Sequence, residues 1–383
     1  MYMKNDEELF YDFCKTRNLK LSTSKTYRFY INLYTKFNEK SMIELIQEAE
    51  DEEEQGIRWK HRTLKKRLIE FRAYLFKNYL KSSSIETFNK ILTFYKHYEI
   101  EIHDLPSYSI KNVNQNKPIT FKDLPDKEVI TASLGIASPF MRAIILFISS
   151  SGCARVETLN FTIQDFINAT RQYHNKNDIY DVLNELKDKT DIVPAWELRR
   201  PKTGKFYITF NSPEATAELV NYLISSNRVL KNDDKLFKVH PDHLNHLFQN
   251  INDKLNLGKR GTYNRFRMHM LRKYHASQLF NDGCSMDFVD ALQGRGKDAT
   301  HSSYFMENPE TLKEEYINHL DCLMINWDSV TYKSPEFIEL EEENRSKSKE
   351  LSELGNRVKN MEELIYDGVD KEKLDRLRRL LSK

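Results

Sequence analysis

The stretch His269-Met270-Leu271-Arg272, followed by Gly294-Arg295 and then by Tyr304, governs how this chain reads. A His and an Arg three residues apart lie on one face of a helix, about 5–6 Å apart at Cβ. They can therefore converge on a single phosphate. A second Arg and a Tyr follow within the next two expected helices. Guanidinium groups for a phosphate, an imidazole for proton transfer and a phenol for attack together describe phosphodiester cleavage without a metal.

Outward from this stretch, the pattern from Ser212 to Trp327 is helical, and the loop Gly258-Lys259-Arg260-Gly261 leads into His269. Upstream, Ile192-Val193-Pro194-Ala195-Trp196-Glu197-Leu198 and Phe206-Tyr207-Ile208-Thr209-Phe210 are β-prone and flank Pro201-Lys202-Thr203-Gly204. Two such runs around a short turn predict a hairpin. An apolar helix is expected at 141–148, ending at Ser150-Ser151-Gly152. Residues 1–106 read as a helical bundle. Its stripes are Tyr27, Tyr30, Leu33, Tyr34 and Phe37; Leu64, Leu68, Phe71, Leu75 and Leu80; and Ile85, Phe88, Ile91, Leu92 and Tyr95. Residues 107–118 are polar and Asn-rich, as an interdomain linker is. In the tail, Phe337, Leu340, Leu351, Leu354, Val358, Met361 and Ile365 keep a 3-4 spacing if Asn344 and Lys347 occupy weaker seam positions. That predicts a short coiled coil or a helix folded back on its own domain.

With 383 residues the chain is long enough for two compact domains. It is 39% hydrophobic and 30% charged with only 11 Gly and 10 Pro, which favours a mainly helical protein over a sandwich or a disordered chain. Cys14, Cys153, Cys284 and Cys322 are far apart, without a C-x-x-C pair. They predict neither a disulfide framework nor a zinc site and fit a reducing compartment. The histidines form no H-x-x-x-H or H-E-x-x-H pattern, so no metal and no cofactor is expected. No apolar run approaches ~20 residues, and the start Asn5-Asp6-Glu7-Glu8 is acidic, so a cytoplasmic, nucleoid-associated protein without a membrane partner is expected.

Net charge is only +2, but basic residues gather at 60–66, 199–205, 259–267 and 272–273, and acids at 48–54 and 336–343. Local clusters govern DNA affinity more than the sum does. The candidate phosphate contacts are Lys25, Lys65 and Lys66 in the bundle and Lys259, Arg260, Arg265 and Arg267 ahead of the central stretch. Each cluster alone also reads as a solvated face.

The central motifs resemble those of the tyrosine recombinases or integrases, in particular their archaeal branch. That family carries His-x-x-Arg, then Gly followed by a basic or aromatic residue, then the catalytic Tyr. Here the gap from Gly294 to Tyr304 matches, Thr300 falls where the motif has a Thr, and Leu292-Gln293-Gly294-Arg295 looks like the archaeal form. Arg155 resembles the family's first arginine and Glu157 its acidic neighbour, although Arg155 comes one residue late counted from Gly152. Lys202 is similar to the family's hairpin lysine, the proton donor to the leaving oxygen, with Lys205 as the next candidate. Arg295 stands where most members have His or Trp; it can donate to a phosphate oxygen but cannot act as a base. Tyr316 competes with Tyr304 for the role of nucleophile.

The resemblance spans about 119–310 and implies an α+β architecture. It would comprise a helical core-binding domain at 1–106, a linker at 107–118, a tyrosine-recombinase catalytic domain with a small β-hairpin at 119–333, and a helical tail at 334–383. It implies that Arg155, Lys202, His269, Arg272, Arg295 and Tyr304 cleave and rejoin double-stranded DNA through a 3′-phosphotyrosyl link, without metal or ATP. It also implies a homo-oligomer on DNA, four protomers on two paired duplexes. A strand-swivelling type IB topoisomerase and a DNA-binding relative without catalysis are the alternatives.

Overall fold

The computed structural model describes residues 5–109, 119–201, 204–226, 228–295 and 308–325, with the single positions 347 and 355. Lys202, Tyr304, Thr300, residues 110–118 of the expected linker and nearly all of the expected tail seam lie outside the described residues. The chain is mainly helical with, among the described residues, two two-stranded ribbons, an α+β protein. It divides into two compact units, Met1–Ile119 with Arg260–Tyr263, and Thr120–Lys259 with Asn264–Lys383. Among the described residues no helix is long and apolar enough to cross a membrane.

The first unit contains α1 (Asp6–Thr16), α2 (Leu21–Asn38), α3 (Met42–Glu54), α4 (Thr63–Asn78) and α5 (Lys81–His97). Helix α3 starts on a capping box in which Ser41 Oγ accepts from Glu44 N and Glu44 accepts from Ser41 N. The inward faces are Tyr27, Ile31 and Tyr34 of α2, Leu64, Leu68, Phe71 and Leu75 of α4, and Phe88, Ile91, Phe94 and Tyr95 of α5. One expected inward residue is not there. Ile85 is exposed, because α5 begins at Lys81 and turns Ser84 inward, where its hydroxyl donates to Leu75 O at 3.0 Å. Part of the basic stretch meets the acidic one. Arg62 lies 2.5 Å from Glu53, and Arg67 lies 2.8 Å from Glu48.

The second unit is built on α7 (Pro139–Ser151), which Ser138 and Pro139 start and which is buried almost all round. Helices α6 (Lys127–Gly135), α11 (Pro213–Ile224) and α13 (Met268–Asn281) pack on it. Strands β1 (Ala195–Arg199) and β2 (Phe206–Phe210) pair antiparallel with Ala195 opposite Phe210. Trp196 of β1 is buried edge-on against Phe147 of α7, at 5.1 Å between ring centroids. Thr209 Oγ1 of β2 donates to Ser151 O at 2.8 Å and ties the hairpin to the last turn of α7. Helices α8 (Arg155–Asn160), α9 (Ile163–Ala169), α10 (Ile179–Leu186) and α12 (Pro241–Lys254) complete this core.

After α13 come α14 (Met286–Leu292), α15 (Pro309–Asn318) and α16 (Leu320–Leu323), whose apolar faces join Val193 and Phe210 in a smaller cluster. The pattern between Ser212 and Trp327 is not helical throughout. A ribbon of β3 (Lys259–Arg260) and β4 (Tyr263–Asn264) interrupts it, with Gly258 and Gly261 both at positive φ.

Candidate active site

The end of α7 decides what can gather beside it. Gly152 closes the helix at φ 65° with its N–H on Ile148 O. A Cβ there would lie 2.6 Å from His275 Nδ1 and 2.8 Å from Gln293 Nε2, so only glycine lets α13 and the residues after α14 come this close. The next residues, Cys153 and Ala154, bend into α8, and Glu157 caps that turn by accepting from Ala154 N at 2.6 Å.

Three segments converge on Arg272. It is 7% exposed, donates through Nη1 to Gly152 O and through Nη2 to Gln293 O at 2.7 Å, and has Nη1 3.4 Å from Glu157 Oε2. Gln293 replies, with Nε2 donating to Arg272 O at 3.0 Å and facing His275 Nδ1 at 3.0 Å. His275 is fully buried, and burial, then the charges of Arg272 and Arg295, push its pKa down to about 3. It is a neutral imidazole packed behind the arginine.

Glu157 is 4% exposed and serves a second guanidinium. Arg200 Nε lies 3.7 Å from Glu157 Oε1, and Arg200 Nη1 donates to Gly294 O at 2.8 Å. Arg200 sits where the hairpin turns: its N–H donates to Lys205 O at 2.8 Å, and its O accepts from Gly204 N at 2.8 Å. The sequence does not single it out, because an arginine at a strand end carries no signal until its partner is known. The only hint was the basic cluster at 199–205.

The second turn of the central motif is equally constrained. Gly294 has φ 58°, and a Cβ on it would lie 2.4 Å from the Tyr207 ring of β2. Arg295 follows, with Nη1 3.3 Å from Asp290 Oδ1 and its carbonyl accepting from Lys205 Nζ at 3.3 Å.

His269, three residues before Arg272 on α13, is exposed. Partial desolvation and the charges of Arg267, Lys273, Arg272 and Arg295 hold its pKa below the ordinary histidine value. It is therefore a neutral ring in a positive field near pH 7.

Of the residues expected from the sequence, His269, Arg272 and Arg295 share this surface of the second unit. Arg155 does not join the group around Glu157. It is exposed, with Nη1 donating to Asn245 Oδ1 of α12 at 3.1 Å. Tyr316 is 1% exposed, its hydroxyl donates to Ser150 O at 2.9 Å, and burial raises its pKa well above 10. It is a core residue. Among the expected phosphate contacts, Lys25, Lys259 and Arg260 are exposed, as is Lys66, which lies 3.9 Å from Glu70. Lys65 is half-buried, Arg265 donates to Leu124 O at 3.3 Å, and Arg267 is the half-buried residue just before α13.

No protein-family model and no curated protein matches the sequence. Among solved structures, the chain is similar to XerH site-specific recombinase bound to difH in a pre-cleavage complex. Identity is 15% over 82% of this chain and 83% of that one, with a TM-score of 0.48. It is also similar to a lambda integrase tetramer bound to a Holliday junction (12% identity, 79% and 76% covered, TM-score 0.46) and to XerA recombinase (17%, 82% and 97%, 0.33). At this overlap and identity the likeness carries no functional argument, and what the site can do rests on its own side chains.

Proposed function

We propose that the chain is a site-specific tyrosine recombinase of the integrase kind, which cleaves and rejoins double-stranded DNA through a phosphotyrosyl intermediate on Tyr304. The observation that carries this reading is the triple anchoring of Arg272 on Gly152 O, Glu157 and Gln293 O. An arginine tied at both Nη groups is pre-oriented, and its Nε–H and second Nη2–H are the donors left for phosphate oxygens. Arg200, on the other oxygen of Glu157, supplies a second positive charge from the turn of the hairpin. Fixed donors of this kind are each worth about 2.7–4 kcal/mol to a developing oxyanion.

In the reaction, Arg272, Arg200 and Arg295 offset charge on the non-bridging oxygens. His269, neutral, accepts the Tyr304 proton or orients the phosphate. The Tyr304 oxygen attacks phosphorus as the bond to the 5′ oxygen breaks, and Lys202 protonates that oxygen. The phosphoester bond is retained in the adduct, so the 5′ hydroxyl can attack it and restore the strand without ATP. Lys25, Lys65 and Lys66 of the first unit and Lys259, Arg260, Arg265 and Arg267 would hold the backbone of the duplex. Four protomers on two duplexes would make the full exchange.

A nicked suicide duplex tests the reading. Wild-type protein is expected to form a covalent adduct that survives denaturation, and Tyr304→Phe is expected to bind the duplex without forming one. An adduct on Tyr304→Phe that maps to another tyrosine overturns the assignment of the nucleophile. Binding with no adduct in the wild type favours a DNA-binding relative without cleavage, the reading that the outward position of Arg155 supports.

A further inference from the structure

A second group of reactive side chains lies away from Arg272, where the end of α13 meets the end of α15. Cys284 Sγ, a Glu315 carboxylate oxygen and a His319 ring nitrogen all lie within 4.8 Å of one another. Cys284 is 2% exposed, and the contact its thiol makes is a weak one, to Ser285 O at 3.8 Å. Glu315 and His319 are one turn apart, with Nε2 3.5 Å from Glu315 Oε1. The other ring nitrogen, Nδ1, lies 2.8 Å from Asp282 Oδ2.

We propose that Cys284, Glu315 and His319 form a binding site for a divalent transition metal of the zinc class. The donor types are those that zinc takes: a thiolate, an imidazole nitrogen and a carboxylate oxygen. The imidazole is also held as metal-ligating histidines are, with the far nitrogen on a carboxylate that fixes tautomer and ring plane. Asp282 does this through Nδ1 and turns Nε2 toward the other two donors. A metal would draw the donors to roughly 3.5 Å apart, as bond lengths of ~2.0–2.3 Å around a tetrahedral ion require. As the metal–sulfur bond forms, the Cys284 proton leaves to solvent.

Linear motifs could not show this site. Asp282 and Cys284 come from the turn between α13 and α14, Glu315 from α15 and His319 from its C-cap. A bound ion would therefore tie the turn ahead of α14 to the C-terminal end of α15. The site does not depend on the recombinase reading, since its ligands are none of the residues proposed to act on DNA.

The test is a cobalt titration of the full chain after chelator treatment, followed by absorption and then by zinc competition. One equivalent of Co²⁺ is expected to give a thiolate-to-cobalt charge-transfer band, which zinc removes. Cys284→Ala should abolish the band while circular dichroism stays native. Asp282→Asn should weaken Co²⁺ binding by about 10–100-fold and keep the band. If Cys284→Ala does not fold, Glu315→Gln at a part-exposed position serves instead, with binding at least roughly 10-fold weaker expected. No sulfur band in folded wild type, a band that persists in Cys284→Ala, or unchanged affinity in Glu315→Gln overturns the proposal.

Discussion

The carbonyl of Gly152 accepts a hydrogen bond from Arg272, 120 residues later in the chain. The bond exists because a glycine at φ 65° lets the end of α7 press against α13 with no side chain between. Gly152→Ala meets both a left-handed backbone, about 1–2 kcal/mol, and a contact with His275 at 2.6 Å. The variant is expected to lose at least ~2 kcal/mol of stability, read from urea denaturation midpoints. A loss under ~0.5 kcal/mol would mean that His275 and Gln293 move aside freely.

Arg200 and Arg155 should separate cleanly. Arg200 shares the buried Glu157 with Arg272, whereas Arg155 is exposed on Asn245. Arg200→Ala is expected to lower adduct formation by ~10²-fold or more, on the scale of losing one fixed donor. Arg155→Ala is expected to stay within a few-fold. The reverse order, measured on the same suicide duplex, would return the first-arginine role to Arg155.

Tyr316→Phe removes a buried hydroxyl that donates to Ser150 O. The loss should be about 1–3 kcal/mol of stability, with the same adduct yield per folded molecule as wild type. A vanished adduct in a folded Tyr316→Phe would make Tyr316 part of the chemistry.

Lys202 and Lys205 should differ in kind. A 5′-phosphorothiolate needs no proton to depart, so it rescues the loss of a general acid and little else. Lys202→Ala is expected to be slow on ordinary DNA and largely rescued by sulfur. Lys205 donates to Arg295 O, so Lys205→Ala should be slow on both substrates. Rescue of Lys205→Ala alone would exchange the two roles.

Burial holds His275 at about 3, below the ordinary 6.5. The unfolded chain therefore takes up a proton that the folded one refuses. The contribution is complete above about pH 6.5, falls as pH drops, and levels off below about 3. At pH 5 the loss is about 2 kcal/mol, at 1.36 kcal/mol per unit. His275→Gln, which can still accept from Gln293, should lack this component of the acid slope. Parallel denaturation curves of the two proteins from pH 7 to pH 4 check it; equal slopes would show that the ring is protonated in place.

Much of the architecture is legible in the sequence, and the reasons are local. Residues 143–148 are apolar without interruption, and the runs around Lys202-Thr203-Gly204 are rich in aromatic and β-branched residues, so helix and hairpin follow from composition over a few positions. Ile85 did not follow, because the face a helix buries depends on where it starts, and α5 starts at Lys81. The β3–β4 ribbon rests on two glycines at positive φ, a conformation that a short polar stretch does not announce. At the site, a spacing of three residues placed His269 and Arg272 together on α13. Arg200 and the Cys284–Glu315–His319 group are products of long-range packing and have no short-range signature.

Two of the anchors on Arg272 are main-chain oxygens, of Gly152 and Gln293, and one of the two on Arg200 beside it is the oxygen of Gly294. No point substitution deletes a carbonyl. The geometry of the guanidinium pair is thus insulated from drift in most neighbouring side chains and exposed at the few positions that steer the backbone. A saturation scan of the chain should accordingly find its intolerance concentrated at Gly152, Gly294 and the shared Glu157, as severe there as at the arginines themselves. Lineages descended from this chain could change much of their surface and keep the same bite on a phosphate.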